Sequence, residues 1–208
     1  MKHKFPIHNV MRLLAEQRPI LRSEEDFRAA FHSVLADLEI ECEVGDAFGS
    51  QVDVWVAAEK YVMGLELMYN TQEVDLVIGE DVYSLDETCT RAEGRRTYLA
   101  KVQGLEQLMD VAKELGHDFI GYAVLLTNDP AYWQPADVAG QGDEAFHIHD
   151  GREVSGELDW SADASQDLMA GLDEPIYLGG MYQMRWRDYA KVSDRRHGQF
   201  RYLVTKIG

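Results

Sequence analysis

Two acids interrupt apolar runs in this chain, Asp53 in Val52-Asp53-Val54 and Glu66 in Leu65-Glu66-Leu67. The segments that carry them, QVDVWVA and YVMGLELMY, are rich in β-branched and aromatic residues and read as consecutive antiparallel strands. Carboxylates on neighbouring strands bring hard oxygen donors together. That is the chemistry of Mg2+ or Mn2+, held by one or two carboxylates with water or a phosphate. Met68 stands two places after Glu66 and, on a strand, shares its face, so a thioether lies where a catalytic site would want a charge. The alternative for both acids is the solvated face of a hairpin.

Other residues with chemical potential are fewer. His147 and His149 in FHIHDG share a face if the segment is a strand, a spacing compatible with Zn2+ or Ni2+, with Asp143 or Asp150 as a nearby third donor. The stretch GMYQMRWRDYAKVSDRRHGQFRY interleaves arginines with Tyr182, Trp186, Tyr189 and Tyr202, which would suit stacked bases and phosphates, or equally a β-hairpin whose aromatics pack on the core. The glycines of GQGDEA and LGG lack the strand-to-helix setting of a phosphate-binding loop. No Ser/His/Asp or Cys/His arrangement is supported by the sequence.

The elements that must position these residues are legible in outline. Val10, Leu13 and Leu14 predict a short first helix. In LRSEEDFRAAFHSVLADL, Ser23 is the expected N-cap, with Asp26 three places on and Phe27, Phe31, Val34, Leu35 and Leu38 at helical spacing. Three strands follow (IECEV and the two above), then a polar connection. A long helix is expected from about Gly94 to Leu115, on the stripe Tyr98, Val102, Leu105, Met109 and Ala112, with Gly116 as its stop. The nearly all-apolar DFIGYAVLLT predicts a buried central strand. Beyond Asn128 the chain becomes acidic and loop-rich, with strand candidates FHIH, IYLGGMYQMRW and FRYLVTKI.

A length of 208 residues fits a single domain, with a core of about 20–128 and an extension over 129–208. No apolar run approaches a membrane span, the opening MKHKFPIHNVMRLL has no continuous apolar segment, and neither membrane association nor a signal peptide is expected. Cys42 and Cys89 make no disulfide or zinc framework, so a cytoplasmic location is expected. The net charge of -17 opposes nonspecific affinity for nucleic acid. It is unevenly spread: residues 129–175 hold twelve acids against Arg152 alone, whereas residues 181–208 hold seven basic residues against two acids. Mutual neutralisation of these segments is the expected outcome.

Helix, three strands, helix, strand, with an acid on the second strand and GLELMY on the third, resembles the PD-(D/E)XK nuclease superfamily and its restriction-endonuclease-like fold. The segments NVMRLLAEQRPILRSEEDFRAAF, VWVAAEKYVMGLELMY, GYAVLLTNDPAYW and LGGMYQMRWRDY are similar to a little-characterised bacterial group within it, over nearly the whole chain. The resemblance implies an α/β fold with a mixed, mainly antiparallel sheet flanked by helices. It also implies Asp53 and Glu66 as metal ligands, with Glu24 of RSEED completing the site, and Mg2+ or Mn2+ as cofactor. DNA or another nucleic acid would be the partner.

The chain departs from the pattern at two places. The lysine expected two residues after the glutamate, which activates water and stabilises charge developing on the phosphate, is Met68. Laid on the group's Leu-Lys-x-Gln-x-Ala-x-Asp pattern, the segment from Leu85 places Asp86, Thr88 and Ala92 where lysine, glutamine and aspartate are expected. Two lysines are candidates for replacement. Lys60, about 20 Å along the strand from Glu66, is too distant, whereas Lys101 on the long helix can extend its stem toward the cleft; its alternative is a solvated surface position. The implied function is a nuclease-like protein with impaired or lost phosphodiester hydrolysis. The alternatives are an active nuclease with Lys101 as its relocated lysine, and a protein-interaction module that uses the acidic loops.

Overall fold

The computed structural model describes residues 5–58, 61–136, 142–169 and 171–208. The chain runs α1 (Ile7–Gln17), α2 (Glu24–Asp37), β1 (Glu43–Ala47), β2 (Ser50–Ala58), β3 (Tyr61–Asn70), β4 (Val74–Ile78), β5 (Asp81–Leu85), α3 (Arg91–Glu114), β6 (Asp118–Thr127), β7 (Glu153–Leu158), α4 (Gln166–Met169), β8 (Ile176–Gln183), β9 (Trp186–Lys191) and β10 (Gln199–Ile207). The central sheet has the order β1-β2-β3-β6-β10-β9. Only β3 and β6 are parallel, from Tyr61 beside Asp118 to Asn70 beside Thr127; the other neighbours are antiparallel. The fold is therefore α/β, with a mixed, mainly antiparallel sheet flanked by helices, as the sequence predicts.

Local chemistry accounts for the helices. The Ser23 hydroxyl accepts from the Asp26 N–H, and Glu24, Glu25 and Asp26 place negative charge in the first turn of α2, against the positive end of its dipole. Thr90 caps α3 in the same way, through the Glu93 N–H. At its other end Gly116, at φ +81, takes the left-handed conformation that ends a helix.

The sheet is covered on both faces. Leu65, Leu67, Tyr69, Val124 and Leu126 pack with α1 and α2, whereas Met68, Ala123 and Leu125 pack beneath α3 with Tyr98, Leu99 and Val102. Gly64 and Gly121, paired across β3 and β6, leave room for Leu105 of α3 to lie directly on the sheet.

Four expectations are corrected. The polar connection before α3 contains the hairpin β4–β5, turned at Gly79. Its Leu76 and Leu85 are buried, and its cross-strand pair Val77 and Val82 is exposed. FHIH is not a strand: it follows a 3-10 turn at Glu144–Phe146, and Phe146 and Ile148 are buried without a strand partner. IYLGGMYQMRW is divided between sheets, since β8 pairs with β7 while β9 joins the central sheet beside β10. The C-terminal residues are thus no mere appendage, because β10 pairs with β6 from Arg201 to Ile207. Finally, the acidic segment meets α3 as well as the basic tail, with Arg91, Arg95 and Arg196 lining one cavity with Asp129 and Asp143. Ion pairs join it to α3, Asp129 to Arg91 and Asp143 to Arg95.

One position tests this packing directly. A Cβ at Gly94 would collide with Tyr132 Oη and Asn70 Nδ2, which hydrogen-bond each other beside α3. A Cβ at Gly104, on the same helix, meets nothing within 4 Å. Gly104→Ala is expected to raise stability by about 1 kcal/mol through helix propensity. Gly94→Ala is expected to lower it by about 1–3 kcal/mol despite the same propensity gain. Urea denaturation of both variants checks the contrast.

Candidate acidic site

The hydrogen-bond ladder between β2 and β3 ends at Val54 and Leu65. One residue on, Asp53 comes opposite Glu66, and side chains replace backbone as partners for β3. The Asp53 Oδ2 accepts the Leu67 N–H at 2.7 Å, and Glu24 Oε2 accepts the Tyr69 N–H at 3.2 Å. Two acids thus satisfy strand donors that would otherwise be left unpaired beneath the helices.

Cations of the chain complete the arrangement. Lys101 Nζ lies 2.5 Å from Glu66 Oε2 and 3.9 Å from Asp53 Oδ2. Arg28, one turn after Glu24 on α2, places Nε 2.6 Å from Asp53 Oδ1, in an ion pair whose N–H is not directed along a hydrogen bond. Its Nη2 binds Glu24 Oε1. The Asp53 carbonyl accepts from His32 Nε2 at 3.1 Å, which leaves Nδ1 as acceptor for the Cys42 thiol at 3.4 Å.

The side chains of Asp53 and Glu66 are only 14% and 15% exposed, and that of Lys101 is 23%. Burial pushes the Glu66 carboxyl above the ordinary glutamate range; the neighbouring Lys101 ammonium opposes this, and the Asp53 carboxylate adds to it. Met68, on the Glu66 face, is buried in the core beneath α3. The structure therefore brings together Asp53, Glu66, Lys101 and Glu24. Asp53, Glu66 and Lys101 are partly buried rather than fully solvated, because α3 lies over this part of the sheet. Lys60 lies outside the described residues.

The arrangement does not fit a divalent cation as it stands. Glu24 is turned to Arg28 and the Tyr69 N–H, and among the described residues no group of three or more His, Cys, Asp or Glu side chains is placed to hold a metal ion. His147 and His149 do not converge either. His147 Nε2 lies 3.2 Å from Asp143, while His149 Nδ1 meets the Asp150 carbonyl. The C-terminal aromatics serve packing rather than stacking. Trp186, Tyr189 and Tyr202 are buried, Trp186 donates to the Ile148 carbonyl, and Tyr189 to that of Arg18. At the entrance to α3, Thr88 Oγ1 accepts the Thr71 N–H and the Asp86 carbonyl accepts the Thr71 hydroxyl, while Ala92 is buried. These three positions tie α3 to the end of β3.

Sequence reasoning missed Arg28 and the His32–Cys42 pair. The Glu24–Arg28 spacing of four residues was the available signal for Arg28, as it places both on one helix face. Cys42 and Cys89 are free thiols, and among the described residues no helix is long and apolar enough to cross a membrane. In comparisons with known proteins, the chain matches no family model, no curated protein and no solved structure.

Removing the ammonium isolates a buried carboxyl. Lys101→Met is expected to destabilise the fold at neutral pH by about 1–3 kcal/mol, less than for a fully buried pair because the group is partly solvated. A carboxyl whose folded pKa is raised contributes most favourably below its unfolded pKa and loses that contribution as pH rises through the folded value. Lys101→Met raises the folded value further, so its deficit is expected to grow from pH 4 to pH 7. Urea titrations across that range, with Glu66→Gln/Lys101→Met as the reference lacking the carboxyl, measure the slope.

Proposed function

We propose that this chain is a nuclease-like protein in which divalent-metal-dependent phosphodiester hydrolysis is impaired or lost. One observation carries the reading: the acids at the motif positions are already matched by the chain's own cations. Lys101 takes Glu66 at 2.5 Å and Arg28 takes Asp53 at 2.6 Å, while the Leu67 N–H occupies the second Asp53 oxygen. A divalent ion needs its carboxylate oxygens at about 2.0–2.1 Å in near-octahedral order. At Asp53 it would have to displace both Arg28 and the bond that closes the end of β3. Met68 adds a second deficit, since one missing preorganised charge typically lowers a rate by about 100- to 1000-fold.

A second reading is favoured by the position of Lys101 within ion-pair distance of both acids. On it, the chain is an active nuclease and Lys101 is the relocated lysine.

A cleavage assay separates the two, using single- and double-stranded DNA and RNA with Mg2+ or Mn2+. The expected result is no cleavage by wild type, unchanged in Asp53→Ala. Cleavage by wild type that is lost in Asp53→Ala, Glu66→Ala and Lys101→Met would overturn the first reading in favour of the second.

A further inference from the structure

The N-terminal end of α3 holds a feature that the acidic site does not use. A cavity of about 670 Å3 opens beside the first turn of this 24-residue helix, between the turn after β6, the loop before β7 and the turn that joins β9 to β10. Its volume is in the range of small-molecule sites. Thr90 and Arg91 contribute the helix terminus, Arg95 follows one turn later, and the exposed Arg196 reaches the cavity from the β9–β10 turn. Arg95 and Lys101 are six residues apart, about 9 Å along the axis, so this cavity is distinct from the Asp53–Glu66 cluster.

The guanidinium groups are oriented and incompletely used. Arg91 meets Asp129 through Nε at 2.7 Å and Nη2 at 3.5 Å, which leaves Nη1 without a hydrogen bond to that carboxylate. Arg95 is only 6% exposed. Its Nη1 donates to Asp143 at 2.9 Å and its Nη2 to the Ala131 carbonyl at 2.7 Å, while its Nε, itself sealed from solvent, has no hydrogen-bond partner among the described residues. A buried donor left unsatisfied costs about 1–3 kcal/mol, and this one belongs to a side chain in the wall of a cavity.

The charges around the cavity are balanced. Asp129, Asp143 and Glu87 balance the three arginines, so the cavity is locally neutral in a chain of net charge -17. The two aspartates also fix the guanidinium planes. Planar guanidinium donors and the positive end of a long helix together match tetrahedral oxyanions.

We propose that this cavity binds a phosphate-bearing small molecule, with its phosphate between Arg91, Arg95 and Arg196 at the N-terminus of α3. The inference stands apart from the nuclease-like reading, because it uses none of that site's residues.

Amide NMR titration with inorganic phosphate, and separately with adenosine monophosphate, against chloride at matched ionic strength, tests it. The expected result is saturable shifts at Arg91, Ala92 and Arg95 with both phosphate ligands and not with chloride. Both variants tested, Arg91→Gln/Arg196→Gln, which alters exposed arginines, and Asp53→Ala, need wild-type circular dichroism. The first is expected to weaken binding about tenfold or more, and the second to leave it unchanged. Shifts that are absent at millimolar phosphate, equal in chloride, or undiminished in the double variant would overturn the proposal. Loss of binding in a folded Asp53→Ala protein would overturn its separation from the acidic site.

Discussion

Glu66 stands on a strand covered on both faces, and a carboxylate in that place has to be matched by charge from within the chain. Much of the local architecture follows from this constraint. Lys101 supplies the charge from α3, so the helix must cross the sheet with that residue over β3. The paired glycines of β3 and β6 let the helix approach closely enough for a lysine stem to reach. Asp53 lies opposite Glu66 and needs its own match, which comes from Arg28 on the other helical layer. The acids therefore link α2, the sheet and α3 through charge rather than through apolar contact alone.

This linkage has a second function, in the backbone. A strand that loses its neighbour exposes N–H groups, and beyond Leu65 the donors of Leu67 and Tyr69 are taken by the carboxylates of Asp53 and Glu24. An acid held by a strand N–H and an arginine cannot be released to another ligand without opening the end of the sheet. The charge network and the strand edge are in this sense one structure, and the site's chemistry is constrained by what the fold requires of the same side chains. At the N-terminal end of α3, Arg91 and Arg95 pair with acids in loops, and the Nε donor of Arg95 is left over among the described residues.

Several elements were legible because their signals are local. The Ser23 cap, the apolar stripe of α3, the β-branched and aromatic content of β2 and β3 and the apolar run of β6 each arise from residues that neighbour one another in sequence. The hairpin β4–β5 was missed although Gly79 and the alternation around it were present, because polar residues on its exposed face diluted the pattern. FHIH shows the converse: Phe146 and Ile148 alternate with histidines as in a strand, but packing with the core buries them without any ladder. Nothing local says that β8 and β9, separated by Met184 and Arg185, pair with different strands.

The sequence by itself determined the class of fold, the strand positions of Asp53 and Glu66, and the placing of Met68 on the same strand face as Glu66. These depend on residue type and short-range period, which a chain carries wherever it goes. Only the tertiary structure decided that Lys101 meets Glu66, that Arg28 meets Asp53, and that Arg91 and Arg95 share a cavity with Arg196. Such arrangements bring together residues up to 105 positions apart. Whether a charged side chain reaches a partner or water depends on how closely helices lie on the sheet, which is set by packing of the whole core rather than by any one segment.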